Sequence, residues 1–454
     1  MFEKLEAILA KIDADYADIR YEIKTVTLIE FSGRDLTDFG SNSTDGYVLR
    51  VLKNGGLAAI SITKEADAEK AIQTVLENAL IISKNIKQPV RFAETEVVRN
   101  TVIPEMKEDP RAISIDEKLE LTRHYNNIPL GHEKVVTTNI AYGEIVRDKY
   151  FMSTEGSKIN EDLITTFIGG GITSKDGTNI QNVHLGLGGS NGFAVLRNGE
   201  EEFEKKTDLV VQLLKAKPVE GGVHNVILNP KLAGVFTHEA FGHFSEADLI
   251  EDSPTMREKM KIGARLGAEF LNIKDDPTLP DQLGFYTYDD EGVQARPTQL
   301  MQNGVLTGRL HSRRTAEAFG EPLSGHCVAE DFRYAPIIRM GTIFIEPATN
   351  SLEKLLGKLD HGYYFLDHLG GQTSGENFTF AAEYGFRVKN GKIGELIRDI
   401  NISGNLYETL HNITAVGNDL ELSMVGGCGK GQMNHRSCHG AAHILVNNVV
   451  VGGA

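Results

Sequence analysis

Basic residues are in short supply. Against 63 Asp and Glu, the chain of 454 residues has only 47 Lys and Arg, a net charge of −16. Binding a phosphate backbone needs a basic footprint, and no run of Lys and Arg interleaved with aromatics supplies one locally. No nucleic-acid partner is expected. Long apolar runs are absent too: none approaches the roughly 20 residues that cross a bilayer, so no membrane partner is expected either. Met1–Asp13 sets apolar residues among acids and lysines at helical spacing. It has no apolar core or small-residue cleavage site and does not read as a signal peptide. A cytoplasmic location is the expectation. Cysteine is scarce, with Cys327, Cys428 and Cys438 widely spread. An odd, scattered set does not describe a disulfide scaffold. Each thiol is then a small buried hydrophobe unless its neighbours say otherwise.

What is present is a globular composition, 41% hydrophobic and 24% charged, on a chain long enough for two or three domains. Patchy alternation over Ala17–Phe31 suggests a strand pair. Tyr47–Val51 and Leu57–Ile62 read as strands joined by a turn at Asn54-Gly55-Gly56. Glu65–Lys84 places Ile72, Val75, Leu76, Ala79 and Ile82 on one helical face. Ser114 with Glu117 forms a capping box before a helix reaching about Tyr125. From Val135 to Phe193, short apolar runs among Gly, Thr and Ser suggest an antiparallel sheet. A helix around Glu204–Ala216 ends at Pro218, and a domain boundary is placed near residue 220. A strand over His224–Leu228 follows, then Asn229-Pro230, an N-cap with proline at the first helical position. Beyond residue 280 the pattern is strand-like, with turns at Asp290-Glu291-Gly292, Asn303-Gly304 and Asn390-Gly391. The fold class is α+β. An N-terminal mixed domain with an antiparallel sheet (1–220) precedes a mostly antiparallel β domain carrying the chemistry-bearing helix (221–454).

That helix reads THEAFGHFSEAD over residues 237–248. The familiar zinc-protease motif H-E-x-x-H stacks its histidines at i and i+4 on one helix face. Here His238 and His243 stand at i and i+5, about 140° apart around a regular helix. Two routes bring them together: a π-type bulge, which widens the turn, or a break at Gly242. Two neutral imidazoles bind a divalent ion, and a nearby carboxylate that is not a ligand, Glu239, takes a proton from bound water. Glu246 follows His243 by three residues and either orients its ring or is an exposed helical acid. The C-terminal segment GGCGKGQMNHRSCHGAAH offers further ligands: Cys428, His435, Cys438, His439 and His443. Three readings of it stay open: a third ligand for the histidine pair, a separate Cys/His zinc site, or a glycine-rich edge with buried thiols. Gly429-Lys430 is not a phosphate loop, since the earlier glycine is missing and Gly431 replaces the Ser/Thr.

THEAFGH with the following Glu-Ala-Asp, taken together with GGCGKGQ, resembles the TldD/PmbA family of metalloproteases, in its metal-bearing TldD branch. YDDEGVQARPTQLMQNGVLTG, FRYAPIIRM, GGQT, NGKIGELI and DGYVLRVLKNGGLAAISIT are similar to family segments, in order along nearly the whole chain. After Gln432 the sequence departs from the family's Val/Pro-rich run, which leaves the roles of His435, Cys438, His439 and His443 open. The resemblance implies a two-domain fold and one zinc ion per chain, on His238, His243 and Cys428. It implies peptide hydrolysis with Glu239 as general base to the attacking zinc-bound water, in a homodimer or a heterodimer with a related subunit. The substrate expected is an unfolded or extended peptide, held against a sheet edge. Glu246, His435 and His439 are candidates for the outer shell or for substrate contact, and Arg333, Tyr334, His326 and His311 for stabilising an oxyanion. The alternative is a peptide-binding or assembly subunit with a structural zinc, working with a sister chain. A small-molecule amidase is a third reading.

Overall fold

The computed structural model describes residues 1–453. Its first half is built on a seven-stranded sheet. Three long antiparallel strands form its middle, Asp35–Lys53, Tyr16–Ser32 and Val135–Ser153. Lys158–Asp176 continues it, and Asn179–Gly189 forms one far edge. The hairpin between Lys53 and Gly56 turns at Asn54 and Gly55, both at positive φ, as the Asn-Gly pair requires. Tyr16–Ser32 is one strand, not the expected pair. Thr25 and Thr27 interrupt the apolar alternation, which resumes at Ile29 and Phe31 on the same face.

Alternation explains how the halves meet. Ile19, Tyr21, Ile29 and Phe31 lie on one face and are packed into the cores formed with helices Ala68–Asn85, Ile115–Leu130 and Glu200–Leu213. Half of the expected capping box is present: Ser114 accepts from the Glu117 amide, but the Glu117 carboxylate turns to Arg197, and the helix runs five residues past Tyr125 to Leu130. Asp18, Arg20, Glu22 and Lys24 point the other way. All four are buried against ions of both halves, including Arg20 with Asp290 (3.5 Å), Lys24 with Asp331 (3.2 Å) and Glu22 with Arg147.

The second half holds two larger sheets. In one, strands Gly362–Ser374, Gly222–Leu228, Ile444–Gly452, Ile400–Asn405 and Asn377–Lys389 pair in sequence. The last pairs back with the first, closing a ring. The other is six-stranded, with Thr342–Ile345 beside Cys438–Ala441 in parallel and the remaining pairings antiparallel. Between them runs the helix starting at Pro230, capped by Asn229, whose side chain accepts from the Leu232 amide (3.0 Å). Leu232, Val235, Phe236 and Phe241 are buried in the largest core of the molecule. Gly234 allows the close approach of that helix to the strand Cys438–Ala441; a Cβ there would lie 2.9 Å from the Gly440 backbone. The architecture is mixed α+β, as expected.

Candidate metal centre

The helix of the two histidines begins as an α-helix over Pro230–Phe236 and widens to a π-helix over Thr237–Gly242. In the wider turn a five-residue separation brings side chains onto one side, where a regular helix would splay them. The rings of His238 and His243 meet edge to face with centroids 5.3 Å apart. The turn is held at both ends by hydroxyls, Thr237 donating to the Ala233 carbonyl (2.8 Å) and Ser245 to that of Gly242 (2.6 Å). Gly242 does not break the helix: its φ of −58° is helical. Its role is clearance, since a Cβ would lie 2.1 Å from the Met340 sulfur. The helix stops at Glu246, which is extended.

Cys428 arrives from the far end of the chain. Gly427 before it has φ of 137°, open to glycine, and a Cβ on Gly426 would strike the Ser437 carbonyl at 2.2 Å. The Cys428 Sγ lies 3.4 Å from His243 Nε2. One donor atom from each of His238, His243 and Cys428 lies within 4.8 Å of the other two. Among the described residues, neither His435 nor His439 joins that group.

The donor set fits a zinc ion. Both ring nitrogens of His238 are buried without a hydrogen-bond partner among the described residues, a costly state unless something binds there. Burial, with His243, holds the His238 imidazole far below its ordinary pKa, in the neutral form a metal takes. Burial alone would also lower His243; Cys428 and Glu246 reverse that and raise it to about 10, so its surroundings favour positive charge. Two imidazoles and a thiol are ligands of the type zinc prefers.

Glu239 is half-buried beside the group, its Oε2 3.8 Å from His243 Nε2, and burial raises its carboxyl above the usual range. Glu246 is fully buried and accepts from His243 Nδ1 at 3.0 Å. His439 is buried one layer out: its ring lies 5.9 Å from that of His238 and 5.8 Å from that of His368, and its Nε2 has no partner among the described residues. His435 is exposed. Cys438 donates to the Ser423 carbonyl, and His443 bridges Tyr364 (2.7 Å) and Asp419 (2.7 Å). Three of the four side chains expected as oxyanion donors are otherwise engaged: His326 with Asp275, His311 with Glu321, and Arg333 with Asp331. Tyr334 accepts from Arg20 through its backbone carbonyl.

Residues that sequence reasoning missed surround the group. Thr373, in the GGQT stretch, donates its hydroxyl to the Glu239 carbonyl (3.3 Å). Met340 fills the space left by Gly242. Arg339, fully buried, donates to the carbonyls of Cys428 (2.6 Å) and Gln432 (2.7 Å). Lys430 bonds Asp248 and Glu246. All four lie in segments that carry the family resemblance, but their contacts are long-range and leave no mark in the sequence.

The family model for the PmbA/TldA metallopeptidase C-terminal domain matches residues 221–453, and that for domain 1 matches 17–79. A metalloprotease of Synechocystis sp. is 33% identical over 446 residues, covering 97% of this chain and 95% of the relative. A zinc metalloprotease TldD homolog of Saccharolobus solfataricus is 29% identical over 454 residues, 98% of each. Among solved structures, a Thermotoga maritima protein described as a candidate modulator of DNA gyrase matches with a TM-score of 0.80 at 21% identity over the whole of both chains. TldE from Thermococcus kodakarensis matches with 0.76 at 18%, again over both whole chains. These two likenesses speak for the fold alone.

Proposed function

Because the chain belongs to the PmbA/TldD metallopeptidase family, we propose that it is a zinc-dependent peptidase for unfolded or extended peptides. His238, His243 and Cys428 hold the ion, one per chain, and Glu239 is the general base. The observation carrying this reading is the convergence of three donors within 4.8 Å, with a carboxylate beside them that is not one of the three. Zinc bound there supplies Lewis acidity, which polarises a carbonyl and makes water a nucleophile at neutral pH. Glu239 takes the proton of the attacking water and returns it to the departing amine. A carboxyl raised by burial is a better base for that task.

The strand Gly362–Ser374 supports the extended substrate. It pairs with Asn377–Lys389 along its length, but with Gly222–Leu228 only through Tyr363–Phe365. From Leu366 onward, no strand pairs with its other edge among the described residues, and Thr373 on this stretch touches the Glu239 backbone. A peptide added along that edge would be read through its backbone. In this reading residues 1–220 serve the substrate groove and a homo- or heterodimer, and residues 221–454 the chemistry. A structural zinc in a peptide-binding subunit would need a fourth protein ligand; exposed His435 and outlying His439 favour the open site.

The test is Glu239→Gln in zinc-loaded protein. Loss of peptide hydrolysis with zinc retained supports the assignment, and hydrolysis at the wild-type rate removes Glu239 from the role of base.

A further inference from the structure

The lysine of GCGK has no part in the chemistry described so far, and it does not cradle phosphate. Its ammonium lies 3.1 Å from Glu246 Oε2 and 3.0 and 3.1 Å from the two oxygens of Asp248. Glu246 Oε2 is the same atom that faces His243 Nδ1 at 3.0 Å. The two sequence motifs therefore meet twice. Cys428 meets His243 directly, and two residues on, Lys430 meets the carboxylate that fixes the other side of the same imidazole.

We propose that Lys430 is a positioning residue of the metal site, which holds Glu246 against His243 and ties the Cys428 loop to the helix of the histidines. A ligating histidine needs its second nitrogen fixed if the first is to point at the metal. Glu246 does that only if its own carboxylate is held, and it is fully buried, where an unpaired charge is costly. Lys430 supplies the opposite charge. Asp248, on the helix just beyond Glu246, anchors the ammonium from a second side. Arg339 completes the clamp by gripping the carbonyls of Cys428 and Gln432, either side of Lys430. Contact of Lys430 with the substrate oxyanion is the competing reading, and the geometry disfavours it: the ammonium is already engaged by two carboxylates and its side chain is 15% exposed. The inference rests on the ligand assignment above.

Five metal-free proteins test it: wild type, Lys430→Met, Lys430→Arg, Glu246→Gln and the double variant Lys430→Met/Glu246→Gln. Zinc affinity is measured by competition with a chromophoric chelator, and the site is read from the absorption of bound Co2+. Lys430→Met is expected to weaken zinc about 10–100-fold, and Lys430→Arg to recover most of that. The double variant is expected to be little weaker than the worse single one, because both act through one imidazole. Wild-type affinity and an unchanged cobalt spectrum in Lys430→Met would overturn the proposal, as would losses that multiply in the double variant. Where Lys430→Met does not fold, Asp248→Asn replaces it: the lysine loses one anchor, and a several-fold weakening is expected, with unchanged affinity counting against the proposal. A wild-type cobalt complex without a thiolate charge-transfer band would instead overturn the ligand assignment itself.

Discussion

At the scale of single residues, the histidine pair and Glu239 stand out by type and spacing, whereas Cys428 joins them only through the family resemblance. The structure brings donor atoms of His238, His243 and Cys428 within 4.8 Å of one another, from opposite ends of the second half. What sequence does not give is who holds them. Lys430 finds its partners 182 and 184 positions earlier in the chain, and Arg339 bonds carbonyls, which have no residue identity to read. His311 and His326 are the converse, plausible by type but already bonded to carboxylates. The Glu239→Gln prediction belongs here. Glu239 is not among the donors, so the substitution should lower turnover at least about 100-fold, the usual contribution of a general base, and leave zinc stoichiometry unchanged.

At the scale of elements, local signals with short reach are legible. The Asn54-Gly55 hairpin, the Ser114 cap and the Asn229-Pro230 helix start all appear where the residues demand them. The strand Tyr16–Ser32 reads as two in sequence because Val26 and Leu28 fall out of phase with Ile19, Tyr21 and Ile23; in the structure they lie half-buried on the opposite face of one strand. The HEAFGH spacing allows a bulge or a break. The π-helix decides it, and the cause we propose lies outside the helix, in the close approach of Met340 and Ile343 to Gly242. Gly242→Ala tests that cause. The added methyl meets Met340 and should cost about 1–3 kcal/mol, the usual range for overpacking, and weaken zinc by displacing His243. Met340→Ala in the same protein should restore part of both. Thermal melting and chelator competition report the two effects; a neutral Gly242→Ala would show that Met340 does not shape the turn.

At the scale of the molecule, the two halves are joined by buried charge. The charged face of Tyr16–Ser32 follows from its alternation, but its pairing with Asp290 and Asp331 depends on a topology that sequence periodicity does not encode. Burial alone would raise the Asp290 carboxyl; Arg20, Lys149 and Arg147 overrule it and hold it well below the ordinary carboxylate range. A depressed pKa stabilises the fold above the unfolded value, near 3.9, and that stability is lost as the pH falls below it. Asp290→Asn leaves two buried cations, Arg20 and Lys149, short of a partner and should destabilise at pH 7 by about 3–5 kcal/mol. The gap between variant and wild type should narrow from about pH 4 to about pH 3. Urea unfolding at both pH values and at neutrality measures it, and a constant gap would show that Asp290 does not carry this linkage.

An open three-ligand zinc site is the centre of this account, and X-ray absorption at the zinc edge of the loaded protein tests it most directly. The expected first shell is one sulfur, two imidazoles and one further light-atom ligand from solvent, with the sulfur lost in Cys428→Ser. A shell without sulfur, or one closed by a third imidazole such as that of His439, would contradict it.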